Sequence, residues 1–239
     1  MGLPVRTTTF LLLAAGLLGW AMPSAGGPTI EQVLQASQAQ RLAARGAPLP
    51  DQDEAVQRLR DSLARLQAQQ PELRDVRLRV VGGELFAEAV FGQRELAASA
   101  AVGELPEGER LLMLAHELGH LQLHHWEALA GLYHQHIPGE VRPDTTDAVS
   151  GALGAEARAL SWSHEFQADA WGYRLVHGLA YGVDTAQALL TRHGVLLDSA
   201  THPGSRRRLM QLRLIDNELA NPQLRYSPAW QADGGAAWR

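Results

Sequence analysis

Residues His116-Glu117-Leu118-Gly119-His120 read H-E-x-x-H, inside a run from Arg110 to His125 that reads as a helix. Residues four apart on a helix share a face, so His116 and His120 can both aim at one metal ion. Glu117 lies beside that face, where its carboxylate could hold a water bound to the metal. Zinc suits imidazole ligands and keeps one coordination position open in catalytic sites. It lowers the pKa of a bound water from about 15.7 to about 7, and the glutamate would take the proton as the hydroxide attacks a carbonyl. The bland alternative is a core helix with two hydrogen-bonded histidines and a surface glutamate. Leu111, Leu112, Met113, Leu114 and Ala115 precede the motif and make the helix apolar on several sides. Two imidazoles and a carboxylate buried there without partners would be costly, and a metal removes that difficulty.

A two-histidine site needs a third protein ligand, commonly a glutamate on a second helix. Ala155 to His177 reads as one long helix ended by Gly178. It carries Glu165 and Asp169 on one face. Glu165 is the expected third ligand, and Asp169 the acceptor for the outer ring N–H of a ligand histidine. The competing reading makes both of them solvated helix acids. Glu156 is a rival ligand that lacks a nearby aspartate. The metzincin arrangement is excluded, because the position six residues after the second histidine is Trp126. His124 and His125 are expected to support the site or lie on the surface rather than bind metal.

Other elements must position these groups. Thr29 to Arg45 and Asp51 to Gln70 read as packing helices split by Gly46-Ala47-Pro48-Leu49-Pro50, and no chemistry is assigned to them. Val76–Val81, Glu84–Val90 and Glu95–Ala100 read as short strands of a small antiparallel sheet ahead of the metal helix. An exposed edge of that sheet could hold an extended peptide through main-chain hydrogen bonds. Pro106, Glu107 and Glu109 fit the start of the metal helix. Gly119 inside it costs about 1 kcal/mol against alanine and would let another backbone pass close by. Gly131 to Gly154 is the least regular stretch, read as a connection between helices rather than a lid. A helix from Asp184 to His193 has Asp184 as its expected N-cap, and a last helix spans Ser205 to Leu219. Arg206, Arg207 and Arg208 crowd the positive end of that last helix. A carboxylate near the site is the expected compensation for Arg208.

The 239 residues are 46% hydrophobic and 20% charged, which suits one sizeable globular domain with a small appendage. A net charge of −5 argues against a nucleic-acid partner. All 21 basic residues are arginine and cysteine is absent, so lysine Schiff bases, thiolate ligands, disulfides and cysteine catalysis are excluded. Any zinc is therefore held by His, Glu or Asp. Arg6, the apolar run Phe10 to Met22 and the small residues Ser24 to Gly27 have the layout of a secretory signal. The run is short for a membrane span, which needs roughly 20 residues. Export, to a periplasm, is the expectation; an uncleaved N-terminal anchor is the alternative. Loss of Arg6 with the signal would take the net charge from −5 to −6. The expected organisation is a signal at 1–26, N-terminal helices at 27–75, a catalytic domain at 76–220 and a tail at 221–239.

Three segments together resemble the M48 family of zinc metallopeptidases, the HtpX-, Ste24- and Oma1-like enzymes. They are Leu114 to His120; Glu165-Phe166-Gln167-Ala168-Asp169-Ala170-Trp171-Gly172, similar to E-x-E-A-D-x-x-G; and Thr201-His202-Pro203-Gly204-Ser205-Arg206-Arg207-Arg208-Leu209, similar to T-H-P-x-x-x-x-R-I. The resemblance covers about Val76 to Leu214. It implies an α+β, mostly helical gluzincin fold with one zinc per chain on His116, His120 and Glu165. Glu117 would be the general base, with Asp169 behind the ligands. His202 would either stabilise the oxyanion or reach the metal as an additional, regulatory ligand. Gln167 departs from the pattern by replacing a glutamate, which removes a charge but no ligand. The hydrophobic spans of the integral-membrane members are also missing, which points to the small exported members, with peripheral membrane association open. Three functions follow as expectations: an endopeptidase on unfolded or misassembled proteins, a zinc-containing chaperone-like or latent binding protein, and a zinc hydrolase of a non-protein amide.

Overall fold

The computed structural model describes residues 26–194, 196–221 and 223. The expected signal lies outside the described residues except for Gly26, and the expected tail except for Asn221 and Gln223. In chain order the elements are α1 (Ile30–Ala43), α2 (Glu54–Gln69), a 3-10 turn at Pro71–Leu73, β1 (Arg77–Val81), β2 (Ala87–Ala89) and β3 (Glu95–Ser99). They are followed by α3 (Ala100–Gly103), α4 (Glu107–Gln122), α5 (His125–His136), α6 (Pro143–Thr146), α7 (Ser150–His177), α8 (Val183–His193) and α9 (Ser205–Ala220). The fold is α+β and mostly helical. No helix among the described residues is long and apolar enough to cross a membrane.

The helix ends follow local chemistry. The Thr29 hydroxyl and the Gln32 side chain form a reciprocal capping box at α1. Asp53 caps α2 by accepting from the amides of Ala55 and Val56 at 2.9 and 3.3 Å. At α8 the N-cap is Gly182 rather than Asp184. Asp184 instead sits in the first turn, where its charge still faces the positive helix end.

The sheet is mixed, not antiparallel. Its order is β1-β3-β2, with β1 parallel to β3 and β2 antiparallel to β3. Alternating residues identify a strand but not its partner; here the chain leaving β1 passes to the far side of β3 before returning through the middle. This makes β2 an edge strand lying against α4.

The expected helix from Arg110 to His125 is two helices. His124 takes a left-handed backbone (φ 55°), which stops α4 and starts α5 in a new direction. The segment expected to be irregular contains the second half of α5, all of α6 and the first turn of α7. It packs against the start of α1, where the Val141 amide bonds to the Pro28 carbonyl at 2.9 Å and Ile30 joins Ile137 and Leu153.

One main core joins Val56, Leu59 and Leu66 of α2, Leu96 of β3, Leu111, Leu114 and Leu118 of α4, Tyr173 of α7 and Ile215 of α9. Arg110 is buried within it and ties α2 to the start of α4, donating to Ser62 Oγ at 2.7 Å and to the Leu105 carbonyl at 2.9 Å. The closest packing is between α4 and α7. A Cβ on Gly172 would lie 2.9 Å from the carbonyl carbon of Ala115 and from the His116 nitrogen. One on Gly119 would lie 3.1 Å from Ala168 Cα. Each helix thus uses a glycine to admit the backbone of the other. Gly172→Ala is expected to force the two helices apart and cost about 1–3 kcal/mol, the usual range for overpacking. Urea unfolding of the variant beside the parent protein measures it.

Candidate metal centre

The α4–α7 contact sets His116 and His120 of one helix against Glu165 and Asp169 of the other. His116 Nε2 and His120 Nε2 are 3.2 Å apart. Glu165 Oε2 is 3.5 Å from His116 Nε2, and Glu165 Oε1 is 3.4 Å from His120 Nε2. These three side chains offer donor atoms within 4.8 Å of one another, so the group could hold a metal ion.

The far side of each imidazole is also held. His116 Nδ1 donates to Asp169 Oδ1 at 2.9 Å. Asp169 in turn accepts two bonds from Arg208, Nε to Oδ2 at 2.7 Å and Nη2 to Oδ1 at 2.6 Å. This carboxylate is the compensation expected for Arg208. The neighbouring Arg207 is answered by Asp198 at 3.1 Å.

His120 leans on His125, with 3.0 Å between their Nδ1 atoms. His125 is buried and its Nε2 meets Gln167 Oε1 at 3.0 Å. An amide oxygen only accepts, so His125 Nε2 carries the proton. Burial, with His164 stacked 4.0 Å away, pushes His125 down to about 2, so it is neutral. Its Nδ1 must then accept from His120 Nδ1, which turns His120 Nε2 toward Glu165. Gln167 Nε2 closes the chain on Ser163 Oγ at 3.0 Å. The position that departs from the M48-like pattern is thus the one that orients a histidine. His124, by contrast, is exposed.

The donor chemistry fits a divalent cation. Glu165 Oε2 is buried without a hydrogen-bond partner, an orphan of the kind a metal satisfies. Burial opposes charge on His116, but Glu165 and Asp169 outweigh it and raise the imidazole to about 10. In the chain alone that positive charge is a proton, and a divalent ion would take its place. Glu165 is held well below the usual carboxylate range, against its burial, by the charge on His116. Asp169 falls to about 2, burial being outweighed by Arg208.

Glu117, outside this three-residue group, reaches the sheet, where its Oε2 accepts from the Ala89 amide of β2 at 2.9 Å. Burial raises its carboxyl, against the pull of His116 and His120. His202 reaches the rim from the other side, with Nε2 3.6 Å from Glu165 Oε1 and a half-exposed side chain. Its loop is tied to α7 by Trp162 Nε1, which donates to the Ser199 carbonyl at 3.0 Å. His202 lies outside the three-residue group. The rival ligand Glu156 is elsewhere, paired with His136 at 3.1 Å.

His125, Gln167 and Ala89 are parts of the site that motif reading leaves without a specific role. The sequence offered only the proximity of His125 to the motif and the substitution at Gln167. Asp169→Ala and Gln167→Ala should each weaken divalent-metal binding about 10- to 100-fold, the usual cost of losing a ligand's supporting partner. Competition titration against a chromogenic chelator measures both. No protein-family model matches the chain, and no curated protein matches it.

Proposed function

We propose that the protein is a zinc-dependent endopeptidase of the M48 gluzincin type, exported, and acting on unfolded or misassembled proteins. The observation that carries this reading is the position of Glu117, a carboxylate next to a His-His-Glu group and bonded to the backbone of an edge strand. A structural metal site needs a complete ligand set but no further carboxylate beside it. A peptidase needs one between the metal and the strand that aligns an extended chain.

His116, His120 and Glu165 would hold zinc, which when bound acidifies a water and polarises the scissile carbonyl. The Ala89 amide steadies the Glu117 carboxylate, and burial raises its proton affinity above that of an ordinary carboxylate, which favours a general base. Glu117 takes the proton from the attacking water and delivers it to the leaving amine. Arg208 and Asp169 hold His116 in one ring orientation, and His125 with Gln167 does the same for His120. His202 stands at the rim, where its imidazole can donate to the oxygen of the tetrahedral adduct.

The contact between His202 and Glu165 supports a second reading, in which His202 joins the ligand set and the chain is a latent, chaperone-like zinc protein. Digestion of casein by the zinc-loaded chain separates the two. Glu117→Gln is expected to retain one zinc while losing about 10²- to 10⁴-fold in rate, the usual worth of a general base. Undiminished cleavage by Glu117→Gln would sink the peptidase mechanism. Zinc-dependent stability with no cleavage by either protein favours the latent reading, and His202→Ala should then release activity.

A further inference from the structure

The outward edge of β2 is not bare. Phe86 and Val90 direct their backbone groups to β3, so the backbones of Ala87, Ala89 and Phe91 point away from the sheet. Among these outward groups, the Ala89 amide is taken by Glu117. The Ala89 carbonyl and the Phe91 amide are both taken by one side chain of α1. Gln38 Nε2 donates to Ala89 O at 2.9 Å, and Gln38 Oε1 accepts from the Phe91 amide at 2.7 Å. The carboxamide is buried and supplies one donor and one acceptor, as an added strand would. Its orientation is determined, because the reversed amide would set donor against donor and acceptor against acceptor.

α1 buries few side chains against the rest of the chain. Its buried residues are Ile30, Gln38 and Leu42, whereas α2 buries five apolar side chains, Ala55, Val56, Leu59, Leu63 and Leu66. Arg41 adds a part-exposed ion pair to Glu88 of β2 at 3.2 Å. Apart from Ile30, packed on Ile137 and Leu153, and Leu42, packed on Val90 and Ala97, α1 meets the sheet through strand-edge hydrogen bonds, and these compete with whatever else uses that edge.

We propose that α1 is a built-in competitor for the substrate edge. On this proposal an extended polypeptide pairs with β2 beside Glu117 only after Gln38 leaves Ala89 and Phe91. The inference rests on the peptidase reading above and adds to it a self-restraint that lies in the N-terminal helix, outside the motif-bearing segments.

The test uses the full-length zinc-loaded protein with Gln38→Leu, which fills similar space without hydrogen bonds. Gln38→Asn, too short to bridge both partners, carries the same test if the leucine variant fails to fold. Fluorescein-labelled carboxymethylated casein is the probe. KM should fall about fivefold in the variants, the equivalent of one net hydrogen bond removed from the competitor, with the change in KM exceeding any change in kcat. Hydrogen exchange of the Phe91 amide should be faster in the variants than in the parent, and slowed again by casein. An unchanged or raised KM, with Phe91 exchange insensitive to casein, would overturn the inference. If no protein cuts casein, the peptidase reading fails on its own. Exchange then still decides about the edge: stronger casein protection of Phe91 in the variants supports competition, and equal protection refutes it.

Discussion

Two helix backbones in near contact determine everything else in this molecule. With Gly119 facing Ala168 and Gly172 facing the peptide between Ala115 and His116, α4 and α7 run closer than any pair of side-chain-bearing surfaces would allow. Side chains one turn apart on each helix then meet in a small volume. Two imidazoles and two carboxylates converge there because the glycines leave them no other separation. The large apolar residues on the remaining faces of α4, Leu111, Leu114 and Leu118, hold that geometry from behind.

Such a volume would be electrostatically untenable without its outer partners. Buried Asp169 stays ionised because Arg208, itself only partly exposed, meets it with two hydrogen bonds. The arginine comes from α9, the carboxylate from α7 and the histidine from α4. The site and its supports thus come from three helices far apart in sequence. On the opposite side a neutral pair, His125 and Gln167, does for His120 what a charged pair does for His116. One ligand is thus held by charge and the other by dipoles. This limits the net charge buried around the centre.

The grouping of His116, His120 and Glu165, with Asp169 behind His116, was legible because each helix contributes its pair at a spacing of four, a relation that survives any tertiary arrangement. The span of α2 was legible from apolar periodicity and the end of α7 from Gly178, whereas the first turn of α7 was not read as helix. What escaped depends on partners from remote segments. Parallel pairing of β1 with β3 leaves no trace in the alternation of either strand. The break at His124 escaped because a left-handed histidine carries no local marker, unlike a glycine. Gln38 looked like one more polar residue on an unremarkable helix, and only the register of β2 gives its carboxamide a counterpart.

The capped edge of β2 has a consequence for the chain in company. If β2 receives an extended polypeptide as proposed, its edge is open to any other, including a strand from a second copy, and unprotected edges of this kind seed aggregation. Many proteins blunt such edges with prolines, bulges or inward charges, each of which would also ruin a groove meant to receive a guest. A reversible carboxamide avoids that conflict. It keeps the outward carbonyl of Ala89 and amide of Phe91 satisfied while no guest is present, and it does so without any permanent change to the strand. The same glutamine would therefore let the protein accumulate at high concentration without pairing with itself.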